Sequence, residues 1–400
     1  MYKKELEKRD CYLSFKDEDE FAEFLIYMNK KDFWLRELSC RISFKPLEKG
    51  MDPKILAGPG VFYSTEEVLE DVSRTGGVIM QRSCNTSSSE FGAVNLDVAQ
   101  LTLDERAGAK CKLVGTYASR GLFDRYACIV SEGFKFFNST VVYLVRGGWI
   151  LAVHSGKYKI FPQQDIFLIA ADYMQRKHPE SKLLKAEYTH DRTFASYKVC
   201  STQSEFMKSY SQAWEKAGLP MSILENTYPV LNFSTSDTGR YPVSVTPVLK
   251  MEGRKGAATG LFPLGTSLEM KHNSKACAEK LIENANLAFS NLKEGLLTLQ
   301  EMLEIELNHP NAVFVKTASI IGITSKAKGV IKEVYMDFKD DFYDADKVTA
   351  FDVYKKICEI QLYKSFKDLA EGTKMQILEA LYRMLQIDWK KIDHPGAEEI

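Results

Sequence analysis

The chain has 400 residues, of which 45% are hydrophobic and 27% are charged, and its 53 basic and 54 acidic side chains leave a formal net charge of −1. This hydrophobic content is ample for a packed core and argues against disorder, while the length predicts two domains or one domain with a helical extension. A nearly neutral chain does not attract a polyanion as a whole, so any nucleic-acid surface has to be a local basic patch.

The N-terminal region, residues 1–110, is predicted to be a mixed α/β region. Helical periodicity with acidic residues in the first turn covers residues 17–28. Ser64 and Glu67 have the spacing of a capping box, which predicts the start of a second helix. Small polar residues at 81–90 predict a loop.

The central region, residues 111–265, is predicted to be rich in strands that form one largely antiparallel sheet. Residue types alternate with a period of two, and the Gly147-Gly148 pair predicts a tight hairpin turn. Helical spacing predicts helices at 165–175 and 206–217. The predicted strands are 111–117, 126–130, 140–145, 150–153, 194–199, 228–237 and 241–249.

The C-terminal region, residues 266–400, is predicted to be helical. Apolar residues recur three or four apart through residues 278–303, which predicts an amphipathic helix of about 33 residues and roughly 50 Å. One small sheet cannot cover such a helix, so we expect it to pack against two helices in 350–393, broken near Gly372, or against a second copy in a homo-oligomer. The acidic segment 337–346 is interpreted as a linker. The predicted fold class is therefore α+β.

The eight cysteines are scattered singly, without a C-x-x-C pair or histidines at zinc-ligand spacing. They are typical of small core residues in a reducing compartment. The first ten residues lack the apolar run of a signal peptide, and no stretch approaches the roughly 18 apolar residues of a membrane span. The sequence therefore predicts a cytoplasmic protein without a membrane partner.

Four short motifs follow one another between about residues 140 and 390. They are Gly147-Gly148 followed by 153–167, then 231–239, then 245–248 with 270–272, and finally 350–354. Their order resembles a group of phage- and plasmid-encoded proteins catalogued as a domain of unknown function. Ser236 stands where that group often has histidine, and 249–254 replaces its Arg-Val-Val-Cys-Asn-Thr segment. The resemblance implies a mobile element, with replication, recombination or evasion of host defence as the usual tasks and the host cytoplasm as the location.

The first candidate site is an interleaving of aromatic and basic residues. Single-stranded nucleic acid favours this mixture, because bases stack on aromatic rings while cations contact phosphates. Alternate residues of a strand face opposite sides, however, so half of the aromatic residues are expected in a core. The residues are Arg120, Phe123, Arg125, Tyr126, Lys135, Phe136, Phe137, Arg146 and Trp149.

The second candidate site surrounds the glycine-rich stretch 253–260. Backbone amides of such a loop before a helix can hold a phosphate, although the P-loop pattern is absent and a flexible surface loop explains the composition equally well. The basic residues that flank it are Arg240, Lys250, Arg254, Lys255, Lys271, His272 and Lys275.

Catalytic motifs are not visible in the sequence. His190-Asp191 lacks the further ligands of a metal-dependent phosphohydrolase, and the acidic residues of 337–346 lack the pattern of a calcium loop. We therefore predict no catalytic residue, metal or cofactor. The leading hypothesis is a non-enzymatic nucleic-acid-binding protein of a phage or plasmid that acts in single-stranded DNA binding, annealing or recombination. The alternative is a protein-binding factor, such as an inhibitor of a host defence system or an assembly protein.

Overall fold

The structure is a computed structural model that describes residues 2–57, 60–83, 89–201, 203–252, 258–273, 275–367, 369 and 371–400. Its strands are Tyr12–Phe15 (β1), Phe33–Leu38 (β2), Ile42–Leu47 (β3), Gly60–Phe62 (β4), Gly77–Ser83 (β5), Ser89–Val94 (β6), Thr140–Arg146 (β7), Trp149–Ser155 (β8), Lys182–Thr189 (β9), Thr193–Lys198 (β10), Thr227–Thr235 (β11), Val243–Glu252 (β12), Ala258–Pro263 (β13) and Leu268–Met270 (β14).

The helices complete the secondary structure. They are Tyr2–Leu6 (α1), Glu18–Lys31 (α2), Pro53–Ala57 (α3), Glu66–Thr75 (α4), Leu96–Arg106 (α5), Lys112–Ser119 (α6), Phe123–Phe137 (α7), Gln163–Lys177 (α8), Lys208–Lys216 (α9), Met221–Leu224 (α10), Ala278–Leu303 (α11), Pro310–Ile320 (α12), Lys328–Asp341 (α13), Ala350–Cys358 (α14), Lys364–Lys367 (α15), Glu371–Arg383 (α16) and Trp389–Ile392 (α17).

The predicted α+β class is confirmed, with two antiparallel-dominated sheets where the sequence predicted one. Sheet 1 has the strand order β1-β9-β10-β11-β12-β13, with β14 paired to β12. Sheet 2 has the order β2-β7-β8-β6-β5-β3, with β4 paired to β6. Sheet 2 combines strands from both sides of residue 110, while the predicted domain boundaries stay a prediction. Within the described ranges, no helix is long and apolar enough to cross a bilayer.

The hairpin between β7 and β8 was correctly predicted from its two glycines. Gly147 and Gly148 have φ angles of +57° and +81°, a region that other residues rarely adopt. A side chain at Gly147 would also lie 2.1 Å from the carbonyl oxygen of Leu6 in α1. The turn is therefore fixed both by its backbone conformation and by the close approach of α1.

The strands predicted at 111–117 and 126–130 are wrong, because these residues lie in helices α6 and α7. Tyr126, Val130 and Phe134 are buried at intervals of four residues, which is the period of a helix that packs on sheet 2. A window of five to seven residues with mixed aromatic and aliphatic side chains also fits a period of two, and this ambiguity misled the prediction.

The long helix α11 has 26 residues, fewer than the predicted length. Strand β14, which pairs with β12, precedes the helix, and the helix starts only at Ala278, after the extended residue Cys277. Its buried stripe packs against β12, β14, α8, α9 and α14 of the same chain. The helix is therefore covered largely by its own chain, and homo-oligomerisation stays a prediction.

The C-terminal predictions also need correction. Residues 337–341 belong to α13 and are not a linker. A helix does begin near Gly372, as predicted, because Gly372 is the second residue of α16. The chain also turns earlier, after α14, through the 3-10 turn Glu359–Leu362.

The predicted capping box before α4 is wrong as well. The Ser64 hydroxyl donates to the carbonyl of Gly148 and accepts from the backbone N–H of Ala93, at 2.7 Å each, so it joins the β7–β8 turn to β6. A capping box is formed at α14 instead, by Thr349 and Asp352.

The packing of α11 on the segment after β13 can be tested at Gly295. An added Cβ would lie 2.8 Å from the Leu264 Cβ and 2.9 Å from its carbonyl oxygen. We expect Gly295→Ala to lower the free energy of unfolding by about 1–3 kcal/mol. In the matched control Gly329→Ala, the added Cβ meets nothing within 4 Å, so stability should be unchanged or higher by up to about 1 kcal/mol. Urea unfolding measures both; equal stability of the two variants would contradict this packing.

Candidate binding surface on sheet 1

Three of the predicted nucleic-acid-binding residues lie on the helices that cover sheet 2. Arg120 follows α6, and Arg125 and Lys135 lie on α7; all three are exposed. The guanidinium of Arg125 lies 5.8 Å from the ring of Tyr117, and the Lys135 ammonium is 3.1 Å from the carboxylate of Glu132. These cations remain reachable, but they are carried by helices and not by the predicted strand face.

Arg146 and Trp149 are buried, which rules them out as contacts for a polyanion in this fold. Arg146 is 1% exposed and its Nε and Nη2 donate to the two carboxylate oxygens of Asp32 at 2.7 and 2.5 Å. Its Nη2 also donates to Asp237 at 2.6 Å. Trp149 is fully buried and its Nε1 donates to the carbonyl of Glu7 at 2.8 Å.

Of the other predicted binding residues, the structure describes Arg240, Lys271 and His272, which lie beside the paired ends of β12 and β14. Arg240 donates to the backbone carbonyl of Asp97 at 2.6 Å and pairs with Asp191 at 3.3 Å. Lys271 is exposed just after β14, and the ring of the adjacent His272 stacks on Tyr158 with centroids 5.3 Å apart. Arg254 and Lys255 lie outside the described residues, as does most of the glycine-rich stretch.

The contacts of Arg146 form a buried polar junction between the two sheets. Arg146 ends β7 in sheet 2, while Asp237 follows β11 in sheet 1. Gln163, at the start of α8, donates to Asp237 at 2.7 Å and accepts from the hydroxyl of Thr193. Burial alone would lower the pKa of Arg146, but the carboxylates of Asp32 and Asp237 outweigh it and raise that pKa well above its usual value.

Two buried histidines lie beside this junction and are neutral at pH 7. Burial lowers the pKa of His154 and of His190 to about 4. The Nε2 of His154 donates to the backbone carbonyl of Asp237 at 2.6 Å, and the Nε2 of His190 donates to that of Lys8 at 2.8 Å. His190 is thus committed to structural hydrogen bonds. Among the described residues, no three His, Cys, Asp or Glu side chains are placed to hold a metal ion.

The outer face of sheet 1 combines cations with aromatic rings. Leu231 and Phe233 point into the core beneath α11, so the alternate residues of β11 point outward, as do their cross-strand neighbours. Basic residues outnumber acidic ones among the described residues of this face. The basic residues are Lys182, Lys185, Arg192, Lys198 and Lys250, and the acidic ones are Glu187, Glu252 and Glu269.

Two groups of contacts position these cations. The ring of Tyr228 is buried beneath two ammonium groups, at 4.2 Å from that of Lys198 and 5.9 Å from that of Lys250. The guanidinium of Arg192 lies 5.6 Å from the ring of Phe194 and 5.3 Å from that of Tyr241. Each aromatic ring thus holds a cation on the outer face, where cation–π attraction restricts its motion.

A groove of about 260 Å³ lies over this face beside α16. Its floor is formed by residues of β10, β11 and β12, and its wall by the 263–267 segment, Gln361 and α16. Its lining is largely apolar, with the aliphatic residues Val248, Leu261, Pro263 and Leu378 beside a few hydroxyl, amide and aromatic groups. The floor includes Phe194, Asn232 and Thr246, and the wall includes Ser267, Glu379 and Tyr382.

One side chain of the groove is not satisfied internally. The amide oxygen of Asn232 is buried and has no hydrogen-bond partner within the part of the chain that the structure describes. By contrast, Thr246 donates to the hydroxyl of Ser267 at 3.0 Å, and Gln361 donates to the carbonyl of Leu261 at 2.9 Å. An unpaired buried acceptor costs about 1–3 kcal/mol, which makes Asn232 the point of the groove that gains most from a bound donor.

Sequence reasoning missed this surface although its strands were predicted. The predicted strands 194–199 and 228–237 place Phe194, Lys198, Tyr228 and Asn232 at alternate positions, which is the pattern of a single face. The alternation could have identified them as neighbours. The groove itself could not be found this way, because its wall comes from α16, more than 100 residues later.

Comparisons with protein families, curated proteins and solved structures found no match for this chain. The resemblance to the phage- and plasmid-encoded group therefore stays a prediction.

The buried junction predicts a large loss of stability when Arg146 is removed. Arg146→Ala leaves two carboxylates in the interior without their counter-charge, which we expect to lower the free energy of unfolding by about 3–5 kcal/mol. The control Arg240→Ala removes a partly exposed pair and should cost at most about 1 kcal/mol. Thermal and urea unfolding measure the difference. If Arg146→Ala does not fold, Arg146→Lys keeps the charge and should show an intermediate loss; wild-type stability of either variant would contradict the junction.

The buried histidines predict that the protein loses stability in mild acid. Their pKa values of about 4 in the folded chain lie below the value of about 6.5 in an unfolded chain. The unfolded state therefore binds more protons between these values, and the stability present above pH 6.5 is lost as the pH falls towards 4, by at most about 1.4 kcal/mol per pH unit for each histidine.

Urea unfolding at several pH values from 7 to 5 tests this dependence. The double variant His154→Gln, His190→Gln should show a smaller pH slope than the wild type, whatever its absolute stability. An unchanged slope would show that other groups are responsible.

Proposed function

We propose that this protein is a non-enzymatic single-stranded nucleic-acid-binding protein, and that the outer face of sheet 1 is its binding surface. The observation that carries the proposal is the placement of Lys198 and Lys250 over the ring of Tyr228, and of Arg192 beside Phe194, on the same face of sheet 1. Sheets that bind single strands use this combination of fixed cations with aromatic side chains.

The charge distribution supports this proposal. The whole chain has a net charge of −1, yet the described residues of this face have an excess of basic side chains. Two cations that flank one buried ring are held close together, which suits a phosphate backbone better than separate, freely moving lysines do. A local positive face on a neutral protein is sufficient for salt-dependent binding.

The dimensions also suit a single strand. The outward row Lys185, Ser196, Asn232 and Thr246 crosses four neighbouring strands, a width of about 14 Å at the usual strand spacing. Exposed Tyr12 and half-buried Phe194 provide ring surface at the side of the sheet formed by β1, β9 and β10. A short stretch of single strand can therefore contact rings and cations together.

The biological setting is also part of the proposal. A phage or plasmid origin, with a task in annealing or recombination, is supported by the order of the motifs in residues 140–390 described above. This setting is consistent with single-stranded nucleic acid as the ligand.

An alternative function, a protein-binding factor, is favoured by a separate observation. Phe136 is 82% exposed, Phe137 51% and Leu113 60%, all on α6 and α7. The rings of Phe136 and Phe137 lie 5.2 Å apart, and exposed apolar side chains in contact with each other are typical of interaction surfaces. An inhibitor of a host defence system or an assembly protein would use this region, on the helices of sheet 2.

Fluorescence anisotropy with a labelled single-stranded oligonucleotide tests the two proposals. We expect binding that weakens as salt rises, and Lys198→Ala should reduce both the affinity and the salt slope, the latter by about 0.7 for one lost phosphate contact. The matched control Lys135→Ala removes an exposed lysine of α7 and should leave both unchanged.

Two results would contradict this assignment. If Lys135→Ala weakens binding and Lys198→Ala does not, the surface lies on α7, near the originally predicted Arg120 and Arg125. An absence of binding at low salt would remove the nucleic-acid proposal. Co-purification of a protein after nuclease treatment, lost in Phe136→Ser, would then support the alternative.

A further inference from the structure

We propose that the groove between sheet 1 and α16 binds one base of the single strand, and that it selects a base with an exocyclic amino group. This inference rests on the proposed function, because the strand on the sheet face delivers the base to the groove. It adds a specificity element to a surface that otherwise reads only phosphates and ring faces.

The groove has the size and the walls for one base. Its volume of about 260 Å³ lies just below the range of roughly 300–1,000 Å³ that is usual for small-molecule sites. Phe194 lines it from the sheet and Tyr382 from α16, so aromatic rings belong to both sides of the cavity. A flat ring gains stacking contact from such walls, whereas a flexible aliphatic ligand gains less.

The polar groups of the groove select the edge of the base. The buried oxygen of Asn232 needs a hydrogen-bond donor, and the carboxylate of Glu379 on the wall accepts hydrogen bonds when ionised. Glu379 has no ion pair with the described residues that would neutralise it. An exocyclic amino group donates to such acceptors, while the carbonyl oxygens of thymine would face a carboxylate without a proton between them.

The side-chain amide of Asn232 also offers a donor beside its acceptor. Adenine presents an amino group next to a ring nitrogen, and asparagine pairs with this edge through two hydrogen bonds. Arg192 lines the same groove close to Phe194, where its Nη2 donates to the hydroxyl of Ser234 at 3.1 Å, and it adds a permanent positive charge to the lining. The groove and the phosphate-binding face are therefore parts of one surface.

Anisotropy competition between matched oligonucleotides tests the inference. The probes are oligothymidines of about 12 nucleotides, within the usual size of a single-strand site, that carry thymine, adenine or N6,N6-dimethyladenine at the central position. The adenine probe should bind about tenfold more tightly than the thymine probe, as expected for one paired base edge. The dimethyl probe keeps the ring but has no amino hydrogen, so it should lose this advantage.

Two kinds of variant separate the groove from the sheet face. Asn232→Leu, which preserves the side-chain volume, and Glu379→Gln, on the exposed surface of α16, should each reduce the preference for adenine while oligothymidine binding persists. Lys198→Ala should weaken all probes alike and leave the preference unchanged. Circular dichroism confirms that each variant is folded.

The outcomes distinguish the two proposals. If the oligonucleotides bind without preference for the amino group, or if the preference survives both Asn232→Leu and Glu379→Gln, the groove inference is wrong and the proposed function stands. If no oligonucleotide binds, the proposed function is wrong, and the groove inference ends with it.

Discussion

The two sheets are joined through one buried cation. Arg146, at the end of β7, pairs with Asp32 after α2 and with Asp237 after β11, and all three side chains are at most 5% exposed. Removing charges from water is costly, and the cost is offset only when the partners are close and their remaining hydrogen-bonding groups are satisfied. Here Gln163 and Tyr188 provide further contacts to the same groups. The junction therefore joins the end of β7 in sheet 2 to the end of β11 in sheet 1.

The burial of Arg146 also explains why the predicted strand site failed. An arginine followed by two glycines and a tryptophan was interpreted as part of an aromatic-basic binding face. Within the fold, Arg146 neutralises buried carboxylates and Trp149 fills the core of sheet 2. The sequence contains no local signal for this role, because Asp32 and Asp237 lie 114 and 91 residues away. A basic residue in an apolar strand is equally compatible with a ligand contact and with a buried ion pair.

The fold could be predicted further than the site. The α+β class, the β7–β8 turn and strands β10 to β12 follow from periodicity and from glycines at positive φ. Helices α6 and α7 could not be predicted in this way, since a short window of residues fits both the helix period and the strand period. The division into two sheets depends on long-range pairings such as that of β6 with β8. Of the predicted cations, Arg120, Arg125, Lys135, Arg240 and Lys271 are at the surface; Arg125 and Lys135 share α7, whereas Arg240 and Lys271 lie beside the paired ends of β12 and β14 in sheet 1. Whether these cations come together in space depends on the tertiary structure, and the alternation of residue types within one strand does not specify it.

The ion pairs on the outer face of sheet 1 determine what kind of binding it can support. Lys185 pairs with Glu187 at 2.5 Å and Lys250 with Glu252 at 2.7 Å, and partly exposed pairs of this kind contribute little to stability. A phosphate of a nucleic acid has to compete with these carboxylates for the ammonium groups. The ion pairs therefore cancel part of the electrostatic attraction between this face and a nucleic-acid strand. The electrostatic contribution of such a face is therefore moderate and is weakened further by salt. Tight binding then has to come from contacts that salt does not screen, namely ring stacking and the unpaired amide of Asn232. Under the proposed function, the groove and not the number of cations is therefore expected to determine which nucleic-acid strands this face retains.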